Sequence, residues 1–143
     1  MPTKAYVLLL ISGLGAGISA TTFNRLGIST TIVEIDPAVY NAARRYFGVP
    51  DPGPGRVFLE DARSWVSRRE KTGAPFDFVV HDCFSGGGVP EHIYTLEFWN
   101  ELSTLVEPQG TVVVVSRKLF DRPSVTLTLD RILLASSNRN HCG

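Results

Sequence analysis

Four places along this chain carry residues that could work together on one ligand. Gly13-Leu14-Gly15-Ala16-Gly17 follows a short apolar run. Glycine permits positive φ and close backbone approach, and a helix opening there would turn its free N–H groups toward a polar ligand. Alone, such a run is a weak signal, and a tight strand-to-helix turn with no ligand is its default reading. The dinucleotide fingerprint wants Gly or Ala at its sixth position, and Ile18 stands there, which argues against NAD or FAD. Glu34 lies 21 residues after Gly13, at the end of the β-branched run Thr30–Glu34. A carboxylate there can accept both ribose hydroxyl protons. A solvated strand-end acid is the plainer reading, and the glycine run at this spacing tips the balance toward ribose. Asp61-Ala62 follows a third brief apolar run. Asp61 can bond an adenine amino group or cap the next helix, and the two roles are compatible. Asp82 ends a fourth run and is either a strand-end cap or the group that meets the reacting atoms.

Other chemistry is less well supported. Cys83 with His81 or His92 would suggest a thiol nucleophile, but nothing fixes a base beside it, and a buried strand-end cysteine is commoner. His81, Asp82, Cys83 and His92 do not have zinc-ligand spacing, so no metal is expected. Arg68-Arg69-Glu70-Lys71 reads as a solvated helix end whose cations suit the helix dipole. Trp65 and Trp99 read as core residues rather than stacking platforms.

The elements that would position these residues alternate. Strands are expected at Tyr6–Ile11, Thr30–Glu34, Arg56–Leu59, Phe76–His81 and Thr111–Val115. Helices are expected at Ile18–Leu26, from Asp36-Pro37 to Gly48, at Ala62–Lys71, at Thr95–Val106 and at Ser124–Ala135. In the Thr95–Val106 helix, Leu96, Trp99, Leu102 and Leu105 recur at helical spacing. Pro108-Gln109-Gly110 is expected to turn the chain into the fifth strand. Alternation of this kind implies right-handed crossovers and a parallel sheet covered on both faces. Ligands then bind beyond the carboxyl ends of the strands, where the strand order reverses.

Composition narrows the class. The 143 residues are 43% hydrophobic and 20% charged, enough for one packed domain and too apolar for disorder. Fourteen basic and fourteen acidic side chains give zero net charge, which argues against nucleic-acid binding. The first 72 residues carry +3 and the rest −3, read as two ends of one domain. Two cysteines are too few for a disulfide scaffold. Ala5–Asn24 is uncharged, follows Lys4, and ends near Ile18-Ser19-Ala20, an imitation of a signal peptide. It is kept as part of the fold because the remainder would otherwise lose a strand. Glycines, Ser12 and Asn24 dilute it too far for a membrane span. A cytoplasmic location is the default expectation.

The runs GLGAG, TTIVEIDPAVYNAARRYFG, RVFLEDARSWV, FDFVVHDCFSGGGVPEHIYTLEFWNEL and LVEPQGTVVVV together resemble the spermidine and spermine synthases over residues 6–116. These are proteins of the class I methyltransferase superfamily that bind S-adenosylmethionine or its decarboxylated form. The resemblance implies that Gly13, Gly15 and Gly17 shape the nucleoside loop, that Glu34 holds the ribose, that Asp61 and Ala62 meet the adenine, and that Pro90 lies against the nucleoside. It makes Asp82 the counterpart of the aspartate that accepts the amine proton. It implies in-line displacement at a carbon on the sulfonium, with a small-molecule amine or other acceptor as partner. Longer relatives of this kind include membrane-attached ones.

Two positions depart from that pattern. Spermidine synthases carry an aspartate in the glycine loop, where Ala16 stands, and another three residues after the first, where Ser85 stands. Each lost charged contact is worth roughly 1.5–3 kcal/mol, so the resemblance is stronger for the nucleoside half than for the amine half. The expectation is therefore a three-layer, Rossmann-like α/β domain over residues 1–135, with sheet order 3-2-1-4-5 and a polar tail at 136–143. It would be a spermidine-synthase-like transferase domain. The alternatives are a true S-adenosylmethionine-dependent methyltransferase and a non-catalytic nucleoside-binding domain. No residues remain for the usual C-terminal antiparallel hairpin, so the chain reads as a shortened member or a fragment. Its fifth strand would then be an uncovered edge, favouring a homodimer or aggregation through Thr111–Ser116.

Overall fold

A computed structural model describes residues 7–69, 73–83, 88, 90–115 and 132–135. The chain alternates β1 (Leu8–Ser12), α1 (Ile18–Arg25), β2 (Ser29–Val33), α2 (Pro37–Phe47), β3 (Val57–Phe58), α3 (Ala62–Arg68) and β4 (Phe76–His81). A 3-10 turn at Glu91–Ile93, α4 (Leu96–Ser103), β5 (Val106–Val115) and β6 (Ile132–Ala135) complete it. The strands form one sheet in the order β3-β2-β1-β4-β5-β6, every neighbouring pair parallel. The expected 3-2-1-4-5 order is therefore present, with one strand added.

Side chains alternate across each strand, so the sheet has two apolar faces. Leu9, Ile11, Ile32 and Val80 pack with Ala20 of α1 and Ala43 of α2. Leu10, Val33, Phe76, Val79, Val112 and Val114 pack on the other face with Trp65 and Val66 of α3 and Phe98, Trp99 and Leu102 of α4. This is the three-layer sandwich. Both tryptophans are core residues, as expected. Local signals set the helix ends. The Asp36 side chain accepts from the Ala38 N–H at 2.8 Å, Pro37 opens α2, and Gly48 closes it in a left-handed conformation. Among the described residues, no helix is long and apolar enough to cross a membrane.

Four expectations need correction. The last four residues of the expected Ser124–Ala135 helix are β6, and residues 124–131 lie outside the described residues. Leu133 and Leu134 suit a strand because Val113 and Val114 stand beside them in register. Strand β5 is consequently not an uncovered edge, and the argument for pairing two copies through Thr111–Ser116 falls away. The turn at Pro108-Gln109-Gly110 is a bulge inside a longer β5. Phe76 pairs with Val106 and Phe78 with Thr111, so β5 takes five steps against two on β4. Proline lacks the N–H a ladder needs, and the chain loops out around it. Finally, α4 buries Phe98, Trp99 and Leu102, whereas Leu96 is 65% exposed.

Candidate functional site

The order of the sheet reverses direction between β1 and β4, and a cavity of about 390 Å³ opens there at the carboxyl ends of the strands. The glycine run reaches it from the end of β1. Gly13 has φ +85°, and a Cβ there would stand 2.2 Å from the Asp82 carbonyl oxygen. Only glycine lets the loop lie this close to the end of β4. Its N–H donates to the Val33 carbonyl at 3.0 Å, and the Asp82 N–H donates to the Ser12 carbonyl at 2.8 Å. The ends of β1, β2 and β4 are thus knitted into one floor.

Glu34, 7% exposed, extends from the end of β2. Its Oε2 accepts from the Leu14 N–H at 2.8 Å, and its Oε1 accepts from the Asp36 N–H at 2.9 Å. The carboxylate clamps the glycine loop to the start of α2. Each oxygen keeps a further lone pair for a ligand donor.

Asp61 caps α3, its Oδ1 accepting from the Ser64 N–H at 2.9 Å. Its Oδ2 meets His92 Nε2 at 2.6 Å across the cavity rim. Burial works to raise the Asp61 pKa, but His92 and the Ser64 N–H outweigh it and hold the carboxyl below its ordinary value. Arg63 fixes the same rim by donating to the His92 carbonyl at 3.3 Å and to the Thr95 hydroxyl at 2.8 Å. Sequence reasoning singled out Asp61 and dismissed His92. The only signal for His92 was its place two residues after Pro90.

Of the residues singled out in the sequence, Gly13, Gly15, Glu34, Asp61, Ala62, Asp82 and Pro90 line this cavity. Gly17 does not. It opens α1 at φ +76°, and a Cβ there would stand 2.1 Å from Val49 Cγ2, so it serves helix packing. Glu60 lines the cavity too and pairs with Arg68. Ser85 lies outside the described residues.

Glu34, Glu60, Asp61 and Asp82 put four carboxyl groups around the cavity, and among its described lining residues there is no Lys or Arg. Such a site favours a cationic ligand and disfavours the paired phosphates of a dinucleotide. Asp82 is exposed at the rim. Cys83 also lines the cavity, but burial pushes its thiol up to about 12, despite a contact with the Ser12 hydroxyl at 3.3 Å. It is no thiolate nucleophile. His81 is fully buried against Tyr94, Phe98 and Trp99, and burial lowers it to about 4. Among the described residues its two ring nitrogens, the Tyr94 hydroxyl and Trp99 Nε1 have no hydrogen-bond partner.

Several known proteins are similar to this chain. An N-terminal histidine N-methyltransferase of Emericella nidulans is 38% identical over 107 residues, covering 73% of this chain and 19% of that protein. A polyamine aminopropyltransferase of Vibrio vulnificus is 37% identical over 123 residues, covering 82% of this chain and 41% of that protein. The crystal structure of human methyltransferase-like protein 13 in complex with SAH superposes with a TM-score of 0.66 at 20% identity, over 75% of this chain and 53% of that one. No family profile matches. The chain thus spans between a fifth and about two fifths of these curated relatives. It is homologous to polyamine aminopropyltransferases and to an N-terminal histidine methyltransferase, and it has the methyltransferase fold.

Proposed function

We propose that this domain binds an S-adenosyl nucleoside, S-adenosylmethionine or its decarboxylated form, and serves transfer from the sulfonium to an amine. The observation that carries this reading is the acidic cavity at the strand-order reversal, with Glu34 and Asp61 at one side and Asp82 on the rim. The residues fit the group. Glu34 offers buried carboxylate oxygens to ribose hydroxyls, Asp61 and Ala62 flank the adenine, and the glycine loop and Pro90 bound the rest. When bound, the sulfonium supplies an electrophilic carbon and a thioether leaving group. Asp82, an exposed carboxylate, holds the acceptor amine at the rim and takes its proton. The four carboxyl groups stabilise positive charge throughout.

Ala16 in place of a loop carboxylate favours a second reading, methyl transfer from intact S-adenosylmethionine, and the homology to an N-methyltransferase supports it. A domain that binds the nucleoside without catalysis is the third. Incubation with each sulfonium and a mixture of amines, followed by mass spectrometry, separates them. Methylthioadenosine marks aminopropyl transfer, S-adenosylhomocysteine marks methyl transfer, and neither product with tight binding marks the third reading. Absence of both binding and product overturns the proposal.

A further inference from the structure

A second cavity, of about 320 Å³, lies at the opposite, amino-terminal end of the sheet, among β1, β2, β3 and β4 and beside the end of α3. Its chemistry is the reverse of the first. Arg56 and Arg69 line it, and no acidic side chain does among its described lining residues.

The strand register explains how they meet. Ile32 pairs with Val57, and the Ile32 N–H donates to the Arg56 carbonyl at 2.8 Å. One residue back on each strand, Thr31 and Arg56 therefore sit side by side. By alternation they share the face of Val33 and Phe58, which is the face covered by Trp65 of α3. Arg69 comes from the far end of α3. Its guanidinium lies over two neighbouring rings, 4.9 Å from the Trp65 centroid and 4.7 Å from the Phe76 centroid. Stacking fixes the planar fork without using any of its N–H donors. Of the run expected to be a solvated helix end, Arg68 is exposed and Arg69 is half-buried, while Glu70 and Lys71 lie outside the described residues.

Three polar groups here have no use within the described protein. Neither Arg56 nor Arg69 has a carboxylate partner among the described residues. Thr31 is 5% exposed and lines the cavity, and among the described residues its hydroxyl has no hydrogen-bond partner. A partly desolvated cation left unpaired is unfavourable, and the Thr31 hydroxyl opens into the cavity, where it can bond a ligand. Both are satisfied by an anion with several oxygens, which can take paired N–H bonds from a guanidinium fork and a hydroxyl proton at once.

We propose that this cavity binds a small oxyanion, a phosphate or dicarboxylate group, between Arg56 and Arg69 over the Thr31 hydroxyl. This site is remote from the acidic cavity and does not depend on what that one binds.

The test uses the whole chain in calorimetric titrations with sodium phosphate and sodium malonate at constant ionic strength, with sodium chloride as the control. We expect saturable binding of phosphate or malonate and none of chloride. The tighter of the two oxyanions identifies the phosphoryl or carboxylate source. Arg56→Gln, which removes a group with no internal partner, should fold normally and weaken binding at least tenfold. Arg69→Gln also removes the ring stacking, so Thr31→Val is the second variant, expected to weaken binding severalfold with unchanged circular dichroism. Equal responses to all three salts overturn the proposal. So does saturable binding that Arg56→Gln and Thr31→Val leave untouched.

Discussion

Replacing Glu34 separates its two jobs, because the carboxylate both clamps the glycine loop and faces the proposed ribose site. In Glu34→Ala the Leu14 N–H loses an acceptor at 2.8 Å and the Asp36 N–H loses one at 2.9 Å. The Leu14 bond is buried, so an unsatisfied donor there destabilises the fold by about 1–3 kcal/mol. The Asp36 bond is only part-buried, and water can replace it at a smaller penalty. Loss of a charged acceptor for the ribose weakens nucleoside binding by a further 1.5–3 kcal/mol or so, roughly 10- to 150-fold. Glu34→Gln keeps one acceptor oxygen for the Leu14 N–H but removes the charge. It should retain most of the stability and still lose most of the affinity. Urea unfolding followed by calorimetry with S-adenosylmethionine reads both quantities on the same samples. Parental affinity in a folded Glu34→Gln protein would refute the ribose assignment and leave Glu34 as a loop clamp alone.

Further outcomes follow from other groups. His81 is held neutral at about 4 against an ordinary 6.5, so the unfolded chain takes up its proton first as pH falls. Stability is full above pH 6.5 and declines through the window down to about 4, by roughly 3 kcal/mol; unfolding of His81→Leu should lack that part of the slope, and equal slopes would contradict it. In His92→Ala the Asp61 carboxyl loses its Nε2 partner, so its pKa, followed by carbon NMR, should rise; no change would remove His92 from the rim network. Pairing on both sides should protect the amides of Val112–Val115 consecutively in hydrogen exchange, whereas an open edge would show alternate fast amides. Ala16→Asp adds a carboxylate to the glycine loop and should shift preference toward decarboxylated S-adenosylmethionine by about 1–3 kcal/mol. Unchanged preference would disconnect Ala16 from the ligand's amine end.

The parts of the fold legible in the sequence are those fixed by local chemistry. Asp36-Pro37 and Gly48 bound α2 through capping, and the β-branched run before Glu34 forms β2. The glycine run, Glu34, Asp61 and Asp82 each end or follow a strand, and a parallel sheet gathers strand ends onto one edge whatever the details of packing. What was illegible depends on distant partners. Ile132–Ala135 reads as the end of a helix until Val112–Val115 lies beside it. His92 gains meaning only because Asp61, 31 residues earlier, reaches it across the cavity. Arg69 looks like any helix-end cation until Trp65 and Phe76 lie beneath it. Gly17 matched a ligand loop by position, yet it serves the contact with Val49.

Calorimetric titration of this chain with S-adenosylmethionine, decarboxylated S-adenosylmethionine and methylthioadenosine, side by side, tests the central claim most directly. The acidic cavity should give saturable one-to-one binding of the sulfonium ligands, tighter than neutral methylthioadenosine. The intact cofactor should bind at least as well as the decarboxylated one, since Ala16 offers no carboxylate to a free ammonium. No saturable heat with any of the three, from folded protein, would contradict the nucleoside site itself. A strong preference for the decarboxylated ligand would contradict the reading of Ala16 and restore aminopropyl transfer as the leading activity.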